Sequence, residues 1–181
     1  MIPKKSNIQA EVIPVQGHYV MTCTDADGKV KWVEEFDNLV TNVGKAYLLN
    51  TFFSGSAYTA AWYMGLITAT GFTNYNAADT MSSHAGWTES TYYSLATRPT
   101  VTWGSATATG GGAGSAGTGS IATTTITFNI NSTDTLTGAF LTTNSTKGGT
   151  TGTLFSASSF TGGTRSVISG DVVSVVYTVN C

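Results

Sequence analysis

Charge is what this chain has least of. Lys, Arg, Asp and Glu make up 10% of its 181 residues, against about a quarter in an ordinary soluble domain. The net charge of -2 and the single adjacent basic pair, Lys4-Lys5, leave no basic patch to neutralise phosphates, so a nucleic-acid partner is not expected. No run approaches the roughly 20 apolar residues of a membrane helix, so no membrane partner is expected either. Cys23 and Cys181 are the two cysteines; they lack metal-ligand spacing and read as free thiols. The residues up to Asn7 open basic but lead into no apolar signal region, which predicts synthesis and folding in a cytoplasm.

Scarcity deepens toward the C-terminus. From Pro99 to Cys181 the charged residues are Asp134, Lys147, Arg165 and Asp171, amid Thr, Ser, Gly and β-branched apolar residues. Such strands present uncharged, hydroxyl-rich faces, which suit a surface covered by other protein better than one that performs acid-base chemistry. An assembly protein without cofactor or catalytic residues is the expectation.

Period-two alternation predicts strands. Ile8, Ala10 and Val12 alternate with Gln9, Glu11 and Ile13 before Pro14, an N-terminal strand or arm over about 1–16. Residues 18 to 36 read as a hairpin turning at Asp25-Ala26-Asp27-Gly28, where Gly28 supplies a positive φ. The Asp pair superficially resembles a calcium loop whose remaining ligands are missing, and a turn accounts for it. Thr41 can cap a helix from Asn42 to about Phe53, the one convincing helix, with an aromatic-rich face suited to closing the open side of a sheet. Strands follow at 61–67, 100–103, 121–130, 136–142, 153–160 and 171–179, with a long irregular segment at 68–86 and a Gly/Ala/Thr-rich loop at about 104–120. The whole reads as one mainly β domain, an antiparallel β-sandwich of jelly-roll type with one short helix.

Few constellations carry chemistry. Asp79, Ser82 or Ser83, and His84 could form a hydrolase triad only by converging, and no nucleophile elbow surrounds either serine. Asp79 and Glu89 could act as a carboxylate pair on a sugar, without specific spacing to support it. Glu89 and Arg98 could instead pair as a structural tether. Tyr58, Tyr75, Tyr92 and Tyr93 could form a sugar platform, although aromatics near strand ends more often pack in a core or a protein interface. Asn131-Ser132-Thr133 and Asn144-Ser145-Thr146 match a glycosylation pattern that chance supplies in a chain this rich in Ser and Thr.

Two segments carry a resemblance. Gly28-Lys29-Val30-Lys31-Trp32, followed by Asn38-Leu39-Val40-Thr41-Asn42-Val43-Gly44-Lys45, is similar to the N-x-V-x-N-x-G-K helix start of a family of small virion proteins of tailed bacteriophages. Trp62 to Leu66, Ala78 to Glu89, Tyr93 and Arg98-Pro99 resemble that family's central block, and the likeness covers about residues 28 to 103. It implies an auxiliary head protein, a cement or decoration subunit on the capsid exterior, with the major capsid protein and further copies of itself (dimer or trimer) as partners. It carries no catalytic residue across. Candidate interface residues are Ile2, Lys4 and Lys5 in the arm, Tyr75, His84 and Trp87 in the central block, and Gly111 and Gly112 in the loop. A tail, neck or fibre component, or a carbohydrate-binding β-sandwich on the virion, are the alternative readings.

Overall fold

The computed structural model describes residues 14–56, 58, 61–110 and 117–181. Its strands are β1 (Gln16–Thr24), β2 (Val30–Asp37), β3 (Leu39–Val40), β4 (Trp62–Thr68), β5 (Thr88–Ser90), β6 (Thr100–Val101), β7 (Thr107–Gly110), β8 (Gly117–Ala122), β9 (Ile126–Asn129), β10 (Asp134–Thr142), β11 (Leu154–Ser159), β12 (Arg165–Val167) and β13 (Val172–Asn180). They form two antiparallel sheets. One runs β2-β1-β13-β8-β7, with β9 also on β13; the other runs β3-β11-β10-β4-β5, with β12 also on β10 and β6 on β4.

The first sheet alternates as a half-buried sheet must. Tyr19, Met21 and Cys23 of β1 and Val173, Val175 and Tyr177 of β13 point inward, and their neighbours face outward. Tyr19 stacks on Phe36 at 5.0 Å between ring centroids and lies 4.5 Å from Tyr177. Burial pushes the Tyr177 hydroxyl up to about 12, so it stays protonated while Asn38 Nδ2 donates to it at 2.6 Å.

The second sheet is covered on both faces. Met64, Leu66, Ala139, Leu141 and Phe155 meet the first sheet, whereas Ile67, Phe140, Leu154 and Ala157 form a second core with Met81 and Trp87. Of the segment 68–86 read from the sequence as irregular, Thr68 ends β4 and the rest is the lid of this outer face. That explains why β4, β10 and β11 are buried on both sides rather than alternating.

The β1–β2 hairpin turns at Gly28, φ +82°, and Asp25 Oδ1 accepts the amides of Asp27 and Lys29 at 3.0 and 2.9 Å, the work of a turn residue. Helix α1 spans Asn42–Phe53 and starts where Thr41 Oγ1 accepts the Gly44 amide at 3.0 Å. Two expectations are corrected. The segment 104–120 holds the hairpin β7–β8 rather than a continuous loop, with Thr107 opposite Ser120 and Gly110 opposite Gly117; residues 111–116, including Gly111 and Gly112, lie outside the described residues. The strand expected over 121–130 is two, β8 and β9, broken at Thr123, whose hydroxyl accepts the Tyr177 amide. The short strands β3 and β12 had no periodic signal, being two and three residues long. The arm to Ile13, with Ile2, Lys4 and Lys5, lies outside the described residues, and Pro14 and Val15 precede β1 without being strand.

Gly138 sits where β10 and β11 approach most closely: a Cβ there would lie 1.9 Å from the Ser158 carbonyl oxygen. Replacing Gly138 with Ala forces the two central strands apart and should cost about 1–3 kcal/mol by urea unfolding, whereas the same change at open Gly163 costs only the strain of its positive φ.

Candidate functional site

The charged side chains of the second half are used inside the molecule. Asp134 accepts hydrogen bonds from Thr68 Oγ1 at 2.9 Å and Ser90 Oγ at 2.5 Å, joining β10 to β4 and β5. Asp171 takes Lys31 Nζ at 2.5 Å, Arg165 pairs with Glu34, and Lys147 Nζ donates to the carbonyls of Tyr93 and Leu95 at 2.9 and 2.5 Å while lying 4.4 Å from the Tyr93 ring centroid.

The deepest of these networks centres on Arg98, 1% exposed. Its Nε and Nη2 meet Glu89 Oε1 and Oε2 at 2.9 and 2.7 Å, while Nη1 and Nη2 donate to the carbonyls of Asn144 and Gly149 at 2.9 and 2.8 Å. Glu89 Oε2 also accepts the Gly148 amide at 2.7 Å, and the guanidinium lies over the Phe140 ring at 5.1 Å. Tyr93 OH approaches Glu89 Oε1 at 3.4 Å; burial, and then that carboxylate, hold its hydroxyl far above the ordinary range. The Glu89–Arg98 tether of the sequence reading thus exists, and it extends to the 144–149 turn.

The residues of the catalytic readings take part in similar bonds. Asp79 Oδ2 accepts Trp87 Nε1 at 3.0 Å and the Asn76 amide at 2.8 Å, and His84 Nδ1 meets the Trp87 carbonyl at 3.1 Å. Ser82 Oγ bonds to Thr80, so the triad is not assembled, and Asp79 and Glu89 each serve separate structural partners. Among the described residues no cluster of three or more His, Cys, Asp and Glu gathers as a metal site, and no helix is long and apolar enough to cross a membrane.

Of the interface candidates, Trp87 is corrected: at 3% exposure it belongs to the second core, packed on Phe140. His84 stacks on it at 3.9 Å, half-buried, and Tyr75 is half-buried against the same core. Tyr93 is buried too, so the four tyrosines form no common platform, although Tyr58 and Tyr92 are exposed.

The feature best placed to meet another molecule is one the sequence reading assigned to the core. Helix α1 does not close the sandwich. Tyr47 packs edge-on against Trp62 at 5.6 Å, but Phe52 and Phe53 are 78% and 76% exposed, and Leu49 is exposed beside them. Between the helix and the end of the first sheet lies an apolar groove of about 490 Å³, lined by Tyr47, Leu48 and Phe52 of α1 together with Trp103, Ile121 and Phe155. It is the mouth of the sandwich, where inward-facing residues of both sheets run out without meeting. The signal was available: Leu48, Leu49, Phe52 and Phe53 surround the helix with apolar residues instead of confining them to a stripe. Among the described residues no charged side chain lines the groove, a composition suited to apolar contact. Comparison with family models, with curated proteins and with solved structures returns no match for this chain.

Two predictions follow from these environments. Replacing Arg98 with Met leaves Glu89 buried without its partner and should cost about 3–5 kcal/mol in chemical unfolding, and Arg98→Lys should recover little of it because one ammonium cannot reach both carboxylate oxygens and two carbonyls. Burial pushes the Cys23 thiol up to about 11, with Asp171 adding to it, while Cys181 is exposed. At pH 8 a disulfide reagent should therefore titrate one thiol in the folded chain, Cys181, and both after denaturation.

Proposed function

We propose that this chain is a bacteriophage capsid cement or decoration protein, a non-enzymatic subunit that binds the outer surface of the major capsid protein lattice and stabilises the head. The observation that carries the reading is the exposed apolar end of α1, Leu49 and Phe53 above all, on a molecule whose four charged residues after Pro99 are all buried or half-buried. Contiguous exposed apolar side chains on a small domain mark a protein contact. The sequence likeness over residues 28 to 103 to small virion proteins supplies the setting, and α1 lies inside that stretch.

The mechanism is mechanical. A subunit that bridges neighbouring capsomers holds each contact while another opens, and repetition by the shell's symmetry turns modest interfaces into resistance against outward pressure from packaged DNA. Aromatic and aliphatic anchors suit this task because they need no charged partner and lose little rotamer freedom. The sandwich itself, braced by internal ion pairs, serves as a rigid strut.

The test is rebinding. Purified protein mixed with expanded heads lacking it should decorate them in symmetric positions and raise their disruption temperature. Leu49→Asp with Phe53→Asp should weaken binding roughly ten-fold or more while leaving the unfolding midpoint of the free chain unchanged. Density confined to tail or neck would overturn the head assignment, and full binding by the double variant would overturn the role of α1.

A further inference from the structure

Helix α1 is fastened to the sandwich along one side. Gly44 lies against the backbone of β11, where a Cβ would come within 2.4 Å of the Phe155 carbonyl oxygen, and Tyr47 packs on Trp62; with half-buried Val43 and Thr51 these residues form the inward side. Residues three and four apart share a helix face, so Asn42, Lys45, Ala46, Leu49, Phe52 and Phe53, all exposed, make up the outward side. Leu49 sits at its middle, with Lys45 one turn before it and Phe53 one turn after. Lys45 is also the one charged residue from Asn38 to Ala78, so the helix carries a cation and no carboxylate to match it.

We propose that this face pairs with the same face of a second copy of the chain, the two α1 helices lying antiparallel across a two-fold axis at Leu49. The order of the side chains selects a copy as the occupant. In an antiparallel pair each Leu49 meets the partner's Leu49, and each Lys45 comes to the partner's Phe53, whose ring face attracts an ammonium within about 6 Å. The same contact is made twice, as a two-fold interface requires. The two Lys45 residues then stand about 12 Å apart along the helices, beyond a Debye length of roughly 8–10 Å. A parallel pair would instead set Lys45 beside Lys45 and leave the rings without a cation. Antiparallel alignment also brings opposite ends of the two helix dipoles together.

The area agrees with a specific but weak contact. Leu49, Phe52 and Phe53 expose roughly 400 Å² per copy, at about 200 Å² for a whole side chain. With Asn42, Lys45 and Ala46 around them a pair covers about 1,200 Å² in all, the low end for a specific interface, and its Kd should be on the order of 10 μM. Pairing assigns a partner to the apolar helix end on which the capsid reading rests, and it leaves the groove between α1 and the first sheet to the lattice. A pair holds two such grooves together, so substituting Leu49 and Phe53 weakens head binding by separating two linked contacts. The pairing itself is measured without heads, so the two readings fail separately.

The test uses the full chain in free solution. Sedimentation from about 1 to about 200 μM should show the mass rising from that of one chain toward that of two, and a single-chain mass throughout would overturn the proposal. Charge reads the register. Phe53→Lys sets two ammonium groups together at each contact and should weaken pairing about ten-fold or more, whereas Phe53→Glu gives the partner's Lys45 a carboxylate and should hold pairing within about three-fold while making it salt-sensitive. Equal loss in both variants would contradict the antiparallel register. A disulfide readout is independent of charge: in chains carrying Cys181→Ser, which removes the exposed thiol, the single substitutions Lys45→Cys, Leu49→Cys and Phe53→Cys are oxidised mildly. Leu49→Cys, at the axis, should form the two-chain product about ten-fold faster than the other two, which lie about 12 Å from their own copies; equal rates at the three positions would overturn the axis. A single-chain mass together with symmetric binding to heads that Leu49→Asp abolishes would overturn the pair and put the helix end on the lattice directly.

Discussion

Arg98 keeps its charge in the interior only because its partners are in place around it: both oxygens of Glu89, the carbonyls of Asn144 and Gly149, and the face of Phe140. Those partners come from β5, the 144–149 turn and the centre of β10. A buried ion pair need add little net stability, yet breaking one is costly, so its effect is to make alternative placements of these segments expensive. With Lys147 fixing the 93–95 backbone from the same turn, the network holds the irregular residues that follow β5 against the outer face of the second sheet.

The same economy runs through the molecule. Asp134, Lys147, Arg165 and Asp171, the charges of the second half, all have partners inside it. What faces outward there is Thr, Ser, Gly and apolar side chains. Low surface charge gives a chain little protection against association, so a molecule built this way is suited to being covered, and the open mouth beside α1 is where covering would gain most. Rigidity inside and apolar exposure at one end are two consequences of the same distribution of charge.

Strands with regular alternation were legible from sequence because one face of the first sheet is wet: β1, β2 and β13 follow the pattern closely. The helix was legible from Thr41 and the spacing after it, and the Glu89–Arg98 pair from the rarity of charge. The second sheet was harder, because burial on both faces removes the alternation between wet and dry residues. Hairpin β7–β8 was hidden by Gly and Ala, which carry no strand signal, and Trp87 was placed at an interface because nothing in the sequence announces that residues 68–86 fold back as a lid. The outward aspect of α1 was missed for a related reason: an apolar helix surface tells that something covers it, but not whether the cover belongs to the same chain.

The central claim is that internal charge networks order the sandwich and its lid in the free chain, and the proposal resting on it is that other protein covers the mouth beside α1. Residue-resolved hydrogen exchange tests both halves at once, with the chain first dilute and then bound to heads. The account predicts that the amides of Gly148 and Arg98 are protected in the dilute chain as strongly as those of β10, and that amides in the last turn of α1 slow only in the bound state. Rapid exchange at Gly148 and Arg98 in the dilute chain, or unchanged exchange at α1 on binding, would contradict it.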